Sequence, residues 1–208
     1  MKIKVCGITK WEQMQQLNAL GADYAGMIFY PLSKRFAGAA FAGYEKELDR
    51  LPIKKVGVFV NAEGAEILDT VQRFSLSAVQ LHGDEPPELA RSLMEEVEVI
   101  RAIRVGEATN LEQELEKHAV SCHYLLFDTD SKTYGGSGKK FNWARLSSLP
   151  ISRPYFLSGG IGREDAEELA LMPQPLLHAV DINSRFEREP GIKDMELVAD
   201  FIRTLKTR

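Results

Sequence analysis

Cys6 closes a short apolar run, Lys2–Cys6, and is followed at once by Gly7. A free thiol in that place is either a small buried hydrophobe or a nucleophile or base. At an ordinary pKa near 8.5 it is only about 3% thiolate at pH 7, so a working base needs help from its surroundings. Lys4, two residues earlier on the same strand face, is a source of positive charge. Asp128 ends the run Tyr124-Leu125-Leu126-Phe127. A carboxylate there is costly unless it is hydrogen-bonded or used, so it either caps the next turn or serves as a general acid or base. Two glycine-containing segments, Ser158-Gly159-Gly160-Ile161-Gly162 and Asp181-Ile182-Asn183-Ser184-Arg185, are candidates for holding a phosphate through backbone N–H groups, although paired glycines also serve ordinary turns. Arg35 is either a solvated surface arginine or a fork for a substrate carboxylate. His82 is either a packed, hydrogen-bonded ring or a polar wall of a site. Cys122 lies just before an apolar run rather than after one and reads as packing. The four histidines show no paired Cys/His spacing, which argues against a metal site.

Something must bring these scattered residues together. Eight apolar runs read as strands: Lys2–Cys6, Tyr24–Tyr30, Lys55–Val60, Ala78–His82, Val97–Ile103, Tyr124–Asp128, Tyr155–Ser158 and Ala179–Ile182. Several are almost continuously apolar, as strands of a parallel sheet covered on both faces must be. Helix-like stretches alternate with them: Lys10–Leu20 ending at Gly21, Ala65–Phe74, Pro86–Glu96 with prolines in its first turn, Arg163–Met172 and Asp194–Lys206. Lys34–Gly43 reads as a loop before a short helix around Tyr44–Leu51, and Thr129–Lys140 as a polar, mobile, glycine-rich loop.

Eight strands in 208 residues leave about 26 residues per unit, which suits a (β/α)8 TIM barrel of near-minimal size formed by residues 1–208 as one domain. The rival, a doubly wound open sheet, usually uses five or six strands and often carries G-x-G-x-x-G after the first. Cys6-Gly7-Ile8-Thr9 does not match that pattern. In a barrel, function sits at the C-terminal ends of strands. Cys6, Lys34 and Arg35, Asn61, His82, Arg104, Asp128, the Ser158 glycines and Asp181–Ser184 all fall at such ends.

Composition narrows the function classes. With 44% hydrophobic and 27% charged residues the chain has enough apolar surface to fold, which excludes a disordered class. A net charge of -4 argues against nucleic acid as a partner. The N-terminus has no signal-peptide apolar stretch and no window approaches the ~20 apolar residues of a membrane span, so a cytoplasmic protein with no membrane partner is expected. Two cysteines are too few for a disulfide framework and fit a reducing compartment. Both a monomer and a homodimer fit the helix faces.

The blocks at the strand ends also carry a resemblance. Lys4-Val5-Cys6-Gly7-Ile8-Thr9, Phe29-Tyr30-Pro31-Leu32-Ser33-Lys34-Arg35, Gly57-Val58-Phe59-Val60-Asn61, Val79-Gln80-Leu81-His82-Gly83-Asp84-Glu85, Phe127-Asp128-Thr129, Gly135–Lys139, Leu157–Ile161, Val180–Ser184 and Pro190–Asp194 resemble the N-(5'-phosphoribosyl)anthranilate isomerases of tryptophan biosynthesis. The resemblance implies a cofactor-free, metal-free barrel acting on a phosphoribosyl substrate, with Cys6 as general base and Asp128 as general acid. It implies Arg35 on the anthranilate carboxylate, phosphate at the loops carrying Ser158, Gly159, Gly160, Asn183 and Ser184, and Asp181 and His82 along the ribose. The acid must hold its proton and the base must release one, so the two need different environments, the base a lowered thiol pKa. The chain departs from the family pattern at Asn183-Ser184-Arg185-Phe186, where the family usually has Ser-Ser-Gly-Val, and at Phe141-Asn142-Trp143, where Asn replaces Asp at the N-cap expected for the sixth helix. A sister isomerase of histidine biosynthesis normally has an aspartate in place of Cys6, and a barrel kept only for partner binding has no reason to retain Cys6, Asp128 and Arg35 together.

Overall fold

The structure, a computed structural model, describes residues 1–130, 140–172 and 175–207. The block Gly135–Lys139 and most of the Thr129–Lys140 loop lie outside the described residues. Eight parallel strands close into a barrel in sequence order: β1 (Lys2–Val5), β2 (Tyr24–Ile28), β3 (Lys54–Phe59), β4 (Ala78–Leu81), β5 (Glu98–Val105), β6 (Tyr124–Thr129), β7 (Tyr155–Leu157) and β8 (Leu177–Ile182). Closure comes from β1 on β8, with Lys4 opposite Asp181 and Val5 opposite Ile182.

The apolar runs are long because each strand is covered twice. Inside the barrel Val56, Ala78, Ile100, Ala102, Leu126, Phe156 and Ala179 pack with Tyr24. The alternate residues, such as Ile3, Val79, Leu125 and Val180, face the surrounding helices. Those helices are α1 (Trp11–Ala19), α2 (Glu45–Arg50), α3 (Gly64–Arg73), α4 (Pro87–Leu93), α5 (Leu111–His118), α6 (Ala166–Leu171) and α7 (Met195–Lys206). The last is fixed at its start by Asp194, whose carboxylate accepts from the Leu197 N–H, and it buries Val198, Phe201, Ile202 and Leu205.

Several expectations need correcting. The sequence pattern shows no helix between β5 and β6, yet α5 stands there: Asn110 caps it by accepting from Gln113 N, and Leu111 and Leu115 fall one turn apart on its buried face. No sixth helix follows Asn142: it caps only a one-turn 3-10 segment, Trp143–Leu146, before β7. The stretch from Arg163 opens as a 3-10 turn, Arg163–Asp165, before α6. Beyond β8 an unanticipated hairpin pairs β9 (Glu187–Glu189) with β10 (Ile192–Lys193) around Pro190 and Gly191. That hairpin proves central to the site.

Candidate active site

All ten residues nominated from the sequence — Cys6, Arg35, His82, Asp128, Ser158, Gly159, Gly160, Asp181, Asn183 and Ser184 — line one cleft at the C-terminal mouth of the barrel. Cys6 sits one residue past β1, where its N–H still donates to Ile182 O at 2.9 Å, so the ladder with β8 fixes its place. Lys4, one pleat below, is fully buried and its Nζ donates to Asp181 Oδ2 at 2.9 Å. Burial alone would strip the Lys4 ammonium, but Asp181 and the Cys6 side chain outweigh it and Lys4 titrates above its ordinary value.

The thiol is not lowered as the sequence reading required. Burial raises it, and although Lys4 and, more weakly, Lys193 pull it down, the net direction is up. Cys6 is only 5% exposed, so the cost of placing charge there exceeds the attraction of one ammonium. Asp181 is raised by the same burial, against the pull of Lys4. Its Oδ1 is buried and has no hydrogen-bond partner among the described residues, which leaves an acceptor at the cleft. Cys122 is buried away from the cleft, donates to His118 O and is pushed up to about 11 by burial. It is a packing residue, as the sequence indicated.

Asp128 stands near the end of β6, about one fifth exposed. Its Oδ1 accepts from the Thr129 N–H at 2.8 Å and its Oδ2 lies 3.4 Å from His82 Nε2. Gln80 Nε2 sits 2.8 Å from His82 Nδ1. With the amide donating to Nδ1, the neutral ring carries its proton on Nε2 and directs it at Asp128. Gln80 thus orients a histidine that orients the carboxyl.

Arg35 does not offer an open fork. Its Nε lies 2.9 and 3.1 Å from the two Glu187 oxygens and its Nη2 2.7 Å from Oε2. This edge is spent on β9, leaving Nη1 as the terminal nitrogen with no protein acceptor among the described residues. Glu187 also accepts from Lys193 Nζ at 2.8 Å, and that ammonium donates on to Asn183 Oδ1 at 2.7 Å. Arg35, Glu187, Lys193 and Asn183 therefore form one nearly buried chain that ties the β2 and β8 loops to the hairpin. Despite its burial, Glu187 is held below its ordinary value by Arg35 and Lys193. Gly7 makes room for this: at φ +75 its missing Cβ would stand 2.8 Å from both Arg35 Cδ and Asn183 Oδ1.

Removing one charge from such a network leaves the others uncompensated. Glu187→Gln is therefore expected to lower unfolding free energy by about 3 kcal/mol, read from urea denaturation. A change within 0.5 kcal/mol would show that the two cations find other partners.

After β7 the chain turns through Gly159 at φ +91 and Gly160 at φ +69. A side chain at Gly159 would overlap Thr129, backbone included, so the position needs glycine on both conformational and steric grounds. Three residues of the site escaped the sequence reading: Gln80, Glu187 and Lys193. Glu187 and Lys193 were invisible as a pair, although they flank a Pro-Gly turn at hairpin spacing and so had to face one another. Among the described residues no group of three or more His, Cys, Asp or Glu is placed to hold a metal ion. None of the described helices is long and apolar enough to cross a membrane.

The family model described as N-(5'phosphoribosyl)anthranilate (PRA) isomerase matches residues 3–204. The chain belongs to that family. Among its relatives, the N-(5'-phosphoribosyl)anthranilate isomerase of Parabacteroides distasonis is 36% identical over 207 residues, covering 99% of this chain and 93% of the relative. The crystal structure of phosphoribosyl anthranilate isomerase from Thermotoga maritima superposes with a TM-score of 0.87 at 37% identity, over the whole of both chains. A phosphoribosyl anthranilate isomerase solved in complex with reduced 1-(o-carboxyphenylamino)-1-deoxyribulose 5-phosphate has a TM-score of 0.81 at 33% identity, again over both whole chains. The phosphoribosylanthranilate isomerase family thus supplies the barrel, and the strand-end residues of this chain line the cleft at its mouth.

Proposed function

We infer that this chain is a phosphoribosylanthranilate isomerase, converting N-(5-phosphoribosyl)anthranilate to 1-(2-carboxyphenylamino)-1-deoxyribulose 5-phosphate in tryptophan biosynthesis. The observation that carries it is the joint presence, in one cleft of a full-length family barrel, of a thiol after β1 and a carboxyl on β6. These stand on well-separated strands, so they reach opposite parts of one bound substrate.

Asp128 gives its proton to the ribose ring oxygen as the C1'–O bond breaks, and the anilino nitrogen supplies the electron pair that makes the protonated Schiff base. Cys6, as thiolate, takes the C2' proton, and the C–H electrons neutralise the iminium to an enolamine. Loss of the O2' proton and gain of one at C1' completes the aminoketose. No atom is added or lost overall. Lys4 stabilises the thiolate while it exists, and His82 holds the Asp128 carboxyl towards the ring. Asp181 Oδ1 is an acceptor for a ribose hydroxyl, and Arg35 Nη1 a donor for the anthranilate carboxylate. The phosphate goes to the loops after β7 and β8, the usual phosphate position in this fold. A single catalytic domain working in the cytoplasm without a cofactor, on a small-molecule substrate and as monomer or homodimer, fits this reading.

The test is rescue of a tryptophan auxotroph lacking this isomerase, with turnover by the purified protein measured alongside. Soluble expression without rescue or turnover would overturn the assignment. The histidine-pathway activity is not favoured, because Cys6 stands where that reaction calls for a second carboxylate.

A further inference from the structure

The rim of the cleft carries an ion pair that the reaction above does not use. Arg185, in the short turn after Ser184, places Nη2 2.8 Å from Glu164 Oε1 and Nη1 3.5 Å from the Gly160 carbonyl oxygen. It therefore bridges from the β8 loop to the β7 loop, and it lines the same cleft as Gly160 and Ser184. The partner carboxylate is itself over the β7 loop: a Cβ added at Gly162 would meet Glu164 Oε1 at 2.7 Å. Lys140 Nζ lies 3.9 Å from the same Glu164 oxygen.

This pair is solvated, unlike the other charges of the site. Arg185 is 40% and Glu164 55% exposed, whereas Lys4, Lys193 and Glu187 are 4% or less. Exposed pairs of this kind contribute little, about 0–1 kcal/mol, so the guanidinium is free to change partner. Its planar donors match a phosphate as well as a carboxylate, and a phosphate monoester brings about twice the charge. Resting on the reading that the substrate phosphate sits between the β7 and β8 loops, we propose that Arg185 is a phosphate clamp held by Glu164 until substrate arrives, when it exchanges the carboxylate for the phosphate. Glu164 is then a built-in competitor. A dianionic ligand displaces it, and an unphosphorylated analogue does not, so the pair sharpens selection for the phosphorylated substrate.

The experiment compares wild type, Arg185→Ala, Glu164→Gln and the double variant in steady-state turnover, with inorganic phosphate as a competing probe. Arg185→Ala is expected to raise KM about tenfold, the loss of a hydrogen bond to a charged group, with the loss falling on KM rather than kcat. The inhibition constant for phosphate should rise with it. Glu164→Gln should lower both constants two- to threefold, and the gain should vanish in the double variant. The clamp is overturned by KM and phosphate inhibition unchanged in Arg185→Ala, or by Glu164→Gln weakening binding as much as Arg185→Ala does, which would make Glu164 a positioning residue instead. Competitive inhibition of wild type by phosphate with no response to either substitution defeats the clamp alone. A wild-type protein without turnover defeats the clamp and the isomerase reading together. Thermal unfolding of each variant controls for misfolding, and both side chains are exposed enough for their loss to be tolerated.

Discussion

Asp128→Asn is expected to reduce kcat by about 10²–10⁴-fold, the range that a positioned general acid contributes. The substitution is nearly isosteric. Asparagine still accepts from the Thr129 N–H through its oxygen and still fills the space beside His82, so the fold should persist. It loses the acidic proton, and its amide nitrogen faces His82 Nε2, so the ring must shift its proton to Nδ1 and Gln80 must turn its oxygen to accept it. If Asp128 opens the ribose ring, the slow step of the variant becomes C–O cleavage, which precedes removal of the C2' proton. Substrate deuterated at C2' should then show a smaller kinetic isotope effect with Asp128→Asn than with wild type. Wild-type turnover in this variant, or an enlarged isotope effect, would remove Asp128 from the acid role.

His82 and Gln80 bear on the same step from behind. The His82 proton directed at Asp128 restrains the carboxyl without touching the substrate. The neutral ring is the useful form, because an imidazolium beside the carboxyl would favour its ionised state and leave it without the proton that ring opening needs.

Much of this arrangement is legible in the sequence, for a definite reason. Strands buried on both faces must be apolar throughout, so Cys6, His82, Asp128 and Asp181 stand out at or near their ends as residues the core does not want. The closed barrel then converts eight separate strand ends into one rim. What could not be read was the partnering across that rim. Arg35 and Glu187 lie 152 residues apart, and neither residue indicates that the guanidinium edge is already occupied. The hairpin that delivers Glu187 and Lys193 is five residues of weak pattern around Pro190-Gly191, easily absorbed into a loop. The helix α5 is hard to read because Leu111 and Leu115 are the only apolar members of its buried stripe, the third being His118, while charged residues fill most of the rest. The state of the Cys6 thiol is the clearest case. Its direction depends on burial against the pull of Lys4, and the outcome of that contest belongs to the folded site.

That contest leads to the last expected result. Cys6→Ser should cost about 10²–10⁴-fold in kcat, because a serine hydroxyl in the same place has no accessible alkoxide. Here the C2' proton transfer becomes the slow step, so the deuterium effect should persist or grow, opposite to Asp128→Asn. The pH profile of the wild type carries the sign of the thiol shift. Burial raises the Cys6 pKa above its ordinary value, so the thiolate fraction is small at neutral pH and increases as pH rises through that raised value. The kcat/KM of the free enzyme should accordingly climb on its alkaline side until the thiol has titrated. Lys4 is the strongest influence pulling the thiol down, so Lys4→Met should move this limb to still higher pH and depress activity most at neutrality, with partial recovery in alkaline buffer. The removed ammonium also leaves Asp181 buried beside no cation, and since burial already raises that carboxyl, it takes up a proton instead of standing as an isolated charge. Asp181 itself pushes the thiol up, so the comparison that isolates Lys4 is Asp181→Asn against the Lys4→Met, Asp181→Asn double variant: with no carboxylate at position 181 in either, the limb should still move to higher pH. A limb in the same place in both would mean that the base being titrated is not Cys6.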